Sequence, residues 1–248
     1  MPKAAIFDMD GTILDTTVDL TASLNYALEK TGHRHDYTGE HTRLFFGSGA
    51  LVALMRALAC EGGTEPSGLL ALGTRDCPAP RELREEAERA LPVFKTYYPQ
   101  HSGIFTRPYP GVPGILERLR RDGVRTAVVS NKMEKAVEGL CARYFPGLFD
   151  AAAGENEPAV RRKPAPDMIE KTLETLGVSA RETVYVGDSE VDLETAENAG
   201  IALIAVSWGF RSKEFLRSRG AGIIADGAEE LYRAISSFGE KSGGGEEA

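Results

Sequence analysis

The sequence predicts a doubly wound α/β fold, a parallel sheet with helices on both faces, interrupted by an all-helical insert. Three observations carry this reading. Short runs of apolar, β-branched residues recur along the chain, each closed by turn or polar residues. Runs without alternation suit strands buried on both faces, as in parallel sheets. Amphipathic segments lie between them, and strand, helix, strand, helix is the pattern of a doubly wound sheet. One long stretch, residues 17–100, breaks that rhythm with helical patterns and no convincing strand.

In chain order, the first strand is expected at residues 4–7 (Ala-Ala-Ile-Phe). Inside the insert, helices are expected at 18–30, 50–60 and 81–97, with Pro92 at a break or kink in the last. Residues 61–68 and 73–80 read as loops, and the proline-rich stretch 99–113 as the returning linker. A helix at 112–121 then leads to a strand at 125–130, a helix at 132–144 and a weak, alanine-rich strand at 149–153. Helices at 166–176 and 191–199 end at Gly177 and Gly200, residues that close helices readily. Strands are expected at 183–186, 202–207 and, shortest, 223–225. The expected division is a Rossmann-like core of residues 1–15 and 101–238, a helical insert of 16–100, and a disordered tail at 239–248.

Composition excludes several classes. With 248 residues, the chain can bury a core without disulfide or metal staples. Its 29 basic and 37 acidic residues leave a net charge of −8, which argues against a nucleic-acid or anionic-membrane partner. No apolar run approaches the ~20 residues that a membrane helix needs. Asp8 and Asp10 interrupt the N-terminus before a signal-peptide core could form. Cys60, Cys77 and Cys141 are odd in number and widely spaced, so they form neither a disulfide framework nor a zinc site. A cytoplasmic protein is the default expectation.

Four motifs then stand at expected strand ends. Asp8 and Asp10, two apart in Asp-Met-Asp-Gly-Thr, can point the same way from the end of an apolar strand. That end is where α/β sheets bind ligands. Close carboxylates repel, so either a cation neutralises them or one keeps its proton. Together they suit a nucleophile beside a general acid/base. Ser130 and Asn131 end the next strand and can donate hydrogen bonds to a phosphate, though Ser-Asn is also an ordinary helix cap. Lys163 precedes Pro164 and fixes an ammonium outside a helix start, or lies in a solvated basic loop. Asp188 and Asp192 follow the strand Val184-Tyr185-Val186, one helical turn apart, or simply enrich a helix N-terminus in acids. Trp208-Gly209-Phe210 follows another strand and either edges the site or packs in the core.

In this order, the four motifs resemble those of the haloacid dehalogenase-like hydrolase superfamily, and the likeness covers most of the chain. The resemblance implies that Asp8 is an aspartyl nucleophile and Mg²⁺ ligand. It makes Asp10 the general acid/base, with its backbone carbonyl on Mg²⁺. It makes Ser130 and Asn131 phosphate-binding, Lys163 the phosphate-facing lysine, Asp188 a metal ligand, and Asp192 a water-mediated ligand or second-rank partner. The helical insert resembles the family's cap. Leu14-Asp15-Thr16 and the segment from Phe45 to Leu51 bring the chain nearest to phosphoglycolate phosphatases, with Gly47-Ser48-Gly49 in place of their Gly-Asn-Gly loop.

The expected function is therefore Mg²⁺-dependent hydrolysis of a small phosphorylated metabolite, 2-phosphoglycolate among the candidates, by a monomer or homodimer. A β-phosphoglucomutase-like mutase or a pyrophosphatase would keep the same core residues. A non-catalytic phosphate-binding protein would not need both Asp8 and Asp10. A phospho-receiver domain is disfavoured by the helical insert.

Overall fold

The computed structural model describes residues 1–74, 77–156 and 158–239. Apart from Gly239, the expected tail at 239–248 lies outside the described residues. The chain divides into two compact units. One comprises Met1–Leu14 and the chain from Pro108 onward, the other Asp15–Arg107.

The first unit is a six-stranded, all-parallel sheet. Its strands are β1 (Ala4–Phe7), β4 (Arg125–Met133), β5 (Ala151–Glu155), β6 (Thr183–Gly187), β7 (Ala202–Val206) and β8 (Ile224–Ala225), in the order β5-β4-β1-β6-β7-β8. A separate two-stranded ladder joins β2 (Leu14–Asp15) and β3 (Arg107–Pro108). Alternation along β1 builds both faces of the large sheet. Ala5 and Phe7 pack in a core that also holds Leu116, Val137 and Ile235, from α6 (Val112–Arg121), α7 (Glu134–Tyr144) and α11 (Ala228–Ser236). Ala4 and Ile6 pack on the opposite face with Met168, Ile169 and Ala196, from α8 (Asp167–Leu176) and α9 (Glu190–Ala199). A short α10 (Lys213–Ser218) precedes β8. Because β1 lies between β4 and β6, the chain winds first one way and then the other, and a crevice opens at the strands' C-terminal ends.

The second unit contains α1 (Thr17–Lys30), α2 (Gly39–Phe45), α3 (Ala50–Glu61), α4 (Pro66–Ala71) and α5 (Arg81–His101). No single described helix is long and apolar enough to cross a membrane.

The loop expected at 61–68 gives way to α4 at Pro66, and three further local expectations need correction. The strand expected at 125–130 continues to Met133, which pairs with Glu155 beyond a register shift, so the following helix starts at Glu134 rather than 132. Pro92 does not end its helix, because α5 runs through both Pro92 and Pro99. A buried face of Ala87, Ala90, Phe94 and Tyr98 holds it, and the Thr96 hydroxyl donates to the Pro92 carbonyl. The return to the core also falls later than residue 100. Asp19, buried near the start of α1, accepts the backbone N–H groups of Phe105 (3.0 Å) and Thr106 (2.9 Å) and the Thr106 hydroxyl (2.7 Å). One carboxylate thus binds the returning segment into the helical unit.

Candidate active site

Asp8 follows β1 directly, and its N–H donates to the Val186 carbonyl (2.8 Å) of β6. Asp8, Asp10, Ser130, Asn131, Lys163, Asp188 and Asp192 all belong to the sheet unit. One carboxylate oxygen each from Asp8, Asp188 and Asp192 lies within 4.8 Å of the others.

Lys163 is the hub of the charge network. Its ammonium lies 2.9 Å from Asp8 Oδ1 and 2.8 Å from Asp192 Oδ1, and it donates to the Tyr185 hydroxyl at 2.9 Å. Only 2% of the residue is exposed. Asn131 clamps its backbone from both sides. Asn131 Oδ1 accepts the Lys163 N–H (2.8 Å), and Asn131 Nδ2 donates to the Lys163 carbonyl (3.1 Å). The Asn131 amide expected to face phosphate is thus turned onto the lysine backbone. Its acceptor and one N–H are committed there, so it positions Lys163. Ser130 Oγ accepts the Lys132 N–H (3.3 Å), which leaves its hydroxyl proton to donate.

Asp192 accepts five hydrogen bonds. Lys163 and Tyr185 (2.7 Å) bind Oδ1, while the N–H groups of Asp188 and Ser189 (both 3.1 Å) and the Ser189 hydroxyl (2.7 Å) bind Oδ2. It completes the capping box of α9 with the N-cap Ser189 and fixes the loop that carries Asp188. Asp188 accepts the Thr12 hydroxyl at Oδ1 (2.9 Å) and the Phe210 N–H at Oδ2 (2.6 Å). The Trp208 indole donates to the Thr12 carbonyl (3.0 Å), so the Trp208-Gly209-Phe210 segment does border the site. Beneath it, a buried bidentate pair of Arg211 and Glu190 (2.6 and 2.9 Å) joins this segment to the start of α9.

The electrostatics follow from burial. Desolvation, opposed by Lys163 and aided by Asp192 and Asp10, pushes the Asp8 carboxyl up to about 7. Burial, with Asp192 and Asp8, holds Asp188 well above the usual carboxylate range. Against the same cost of burial, Lys163 and the hydrogen bonds of Tyr185 and Ser189 keep Asp192 below that range. The three carboxylates thus differ: Asp192 is a settled anion, whereas burial disfavours the charged forms of Asp8 and Asp188.

Three glycines make this packing possible. A Cβ on Gly11, whose φ is +85°, would stand 2.4 Å from Asp188 Oδ2. One on Gly209 would meet Asp188 Cβ, Asp188 Oδ2 and the Gly11 carbonyl at 2.4 Å, and one on Gly187 would meet Asp192 Cβ at 2.4 Å. Gly209→Ala is therefore expected to displace Asp188 and lower kcat by about 10²-fold, since a shift of ~1 Å in a reacting constellation can cost that much. Wild-type kcat in this variant would show that Asp188 tolerates displacement.

Sequence reasoning missed four contributors: Lys132, Tyr185, Gly187 and Thr12. Lys132 lies 2.9 Å from Asp10 Oδ1. Its position directly after Ser130-Asn131 was the available signal. Tyr185 reads as core because it lies in an apolar run, and only the fold brings its hydroxyl to Asp192 and Lys163.

Gly47, Ser48 and Gly49 belong to the other unit, between α2 and α3, with φ of +118° at Gly47 and +88° at Gly49. Beside this loop, the buried Arg56 guanidinium donates to the carbonyls of Leu70 (2.9 Å), Leu72 (3.1 Å), Phe45 (3.2 Å) and Leu44 (3.3 Å). Each buried acceptor left unsatisfied costs ~1–3 kcal/mol, so Arg56→Met is expected to destabilise the helical unit by at least about 3 kcal/mol. Lysine at this position, a point donor, should recover only part of that. An unchanged urea-unfolding midpoint would show that these carbonyls find other donors.

A family model described as haloacid dehalogenase-like hydrolase matches residues 5–206. Phosphoglycolate phosphatase 1 of Pseudomonas aeruginosa is 30% identical over 236 residues, covering 93% of this chain and 79% of that protein. The phosphoglycolate phosphatase of Aquifex aeolicus is 29% identical over 209 residues, covering 84% and 86% respectively. Among solved structures, a candidate phosphoglycolate phosphatase from Lactobacillus delbrueckii subsp. bulgaricus superposes with a TM-score of 0.91 at 53% identity, over 95% of this chain and 99% of that one.

Proposed function

The chain belongs to the haloacid dehalogenase-like hydrolase family and is a phosphoric monoester hydrolase of the phosphoglycolate phosphatase-like kind. From that premise we propose that it hydrolyses a small phosphomonoester, 2-phosphoglycolate first among the candidates, with Mg²⁺ and through an aspartyl-phosphate on Asp8. The observation that carries this reading is the position of Asp8 at the tip of β1, with the Lys163 ammonium 2.9 Å from one of its oxygens.

The donor set fits a hard divalent cation. Three buried carboxylates offer only oxygen, within one small volume, and burial disfavours the charged form of two of them, a cost that a bound cation would offset. Asp8, Asp188 and the Asp10 carbonyl would hold Mg²⁺, with the fully engaged Asp192 behind them. Bound there, the cation would offset the carboxylates and the phosphate dianion.

The protein's own groups perform the chemistry as follows. Lys163 and the Ser130 hydroxyl proton hold phosphate oxygens. An Asp8 oxygen attacks phosphorus while the bond to the alcohol oxygen breaks, and Asp10 gives that oxygen its proton. Asp10 then takes a proton from water, the water oxygen attacks phosphorus, and the bond to Asp8 breaks, releasing inorganic phosphate. Phosphoryl transfer asks mainly for positioning and charge neutralisation, and this set supplies both. The helical unit Asp15–Arg107 serves as the cap that sets specificity, with Gly47-Ser48-Gly49 as its substrate loop.

The test is a screen of the purified protein with Mg²⁺ against phosphorylated metabolites. The expected result is selective turnover of 2-phosphoglycolate, lost on chelation and restored by Mg²⁺ but poorly by Ca²⁺, whose looser coordination disturbs in-line attack. Full turnover in excess chelator would remove the metal from the mechanism. Failure to hydrolyse any small phosphomonoester would remove the function.

A further inference from the structure

The extension of β4 to Met133 places Lys132 in the strand rather than in the helix that follows. The Lys132 side chain is 3% exposed, and its ammonium lies 2.9 Å from Asp10 Oδ1. An ammonium taken out of water needs a paired anion, so this contact fixes both partners. Among the described residues of the sheet unit, the other buried lysine is engaged elsewhere, with Asp8, Asp192 and Tyr185 around Lys163. Arg211 is paired with Glu190. Lys132 is thus the buried cation that meets Asp10.

We propose that Lys132 is the positioning residue for Asp10: its ammonium holds Oδ1 and so presents Oδ2 to the oxygen of the departing alcohol. The inference rests on the reading of Asp10 as the general acid/base. Without Lys132 the carboxyl is free to rotate about its side-chain bonds, and the proton is no longer held on the line of the breaking ester bond. The role is tied to proton transfer and not to binding of phosphate, which separates the two in experiment.

A strongly basic alkoxide needs a proton as it leaves, whereas a dinitrophenolate departs without one. Lys132→Met is therefore expected to lower kcat/KM for an alkyl phosphomonoester by roughly 10²-fold, within the range that general acid catalysis contributes. For 2,4-dinitrophenyl phosphate the loss should be at least about tenfold smaller. Lys132→Arg, which keeps the charge, should recover part of the alkyl-ester activity.

Equal losses on both esters, or none on either, would overturn the proposal. Asp10→Asn serves as the reference. If it fails to separate the two esters, the reading of Asp10 itself is wrong. If it separates them and Lys132→Met does not, the inference on Lys132 alone fails. Crystal structures of the wild type and Lys132→Met give a readout independent of turnover. The Asp10 carboxylate should leave its wild-type orientation in the variant, and an unmoved carboxylate would overturn the proposal.

Discussion

Asp8→Asn is expected to abolish turnover, with a fall on the order of 10⁴-fold or more, because it removes the attacking oxygen and not an accessory contact. The change is almost isosteric, so the sheet should form as before. Its effect on stability runs the opposite way. Burial, with Asp192 and Asp10, raises the Asp8 carboxyl from 3.8 to about 7 despite Lys163. The folded protein therefore holds that proton more tightly than the unfolded chain does. Stability from this group is complete below pH 3.8 and is lost as pH rises through about 7. The asparagine variant has no such group to ionise. In metal-free buffer its melting temperature should fall less than that of the wild type as pH is raised from acidic to mildly alkaline. No acid-stable phosphoenzyme should accumulate in it. Wild-type turnover by Asp8→Asn would exclude the nucleophilic role, and parallel pH–melting curves would exclude the burial argument.

Asp8, Asp10, Asp188 and Asp192 stand out because each follows an apolar run that ends in carboxylates, where a buried strand alone would call for none. The strands themselves were legible because both sheet faces are covered, which leaves Ala4–Phe7 and Thr183–Gly187 without exposed positions. What escaped depended on contacts distant in sequence. Ser130-Asn131-Lys132 looks like a helix cap until β5 offers pairing partners that carry β4 onward. Pro92 looks like a break until the buried face of α5 outweighs the lost hydrogen bond. The end of the helical unit shifts because Asp19 binds backbone groups far along the chain. Asn131 has the donors a phosphate needs, but its amide is equally suited to clamp a backbone, and its contact with Lys163 spans a sequence distance that local patterns do not show.

Lys163→Met should damage stability and chemistry together. In the wild type the ammonium lies between Asp8 and Asp192, both buried, with Tyr185 as its third partner. Burial opposes the charged lysine, yet Asp192 and Asp8 hold it charged well beyond the ordinary range. Methionine fills the space but leaves two carboxylates without their cation. Breaking a buried pair from one side costs about 3–5 kcal/mol. The loss should be largest near neutral pH and shrink as pH falls, because protons then neutralise the stranded carboxylates that Lys163 balanced. Turnover of small phosphomonoesters should fall by about 10²–10³-fold, as when a charge-stabilising donor is removed from a transition state. Lys163→Arg distinguishes the two roles. It restores positive charge between the carboxylates, so much of the stability should return. A planar fork cannot replace a compact ammonium held by the Asn131 clamp, so turnover should recover less. Urea unfolding across pH and steady-state kinetics on one preparation measure both. A variant that keeps wild-type kinetics would return Lys163 to a purely structural role, and one equally stable at all pH values would mean that Asp8 and Asp192 are neutralised by something other than this lysine.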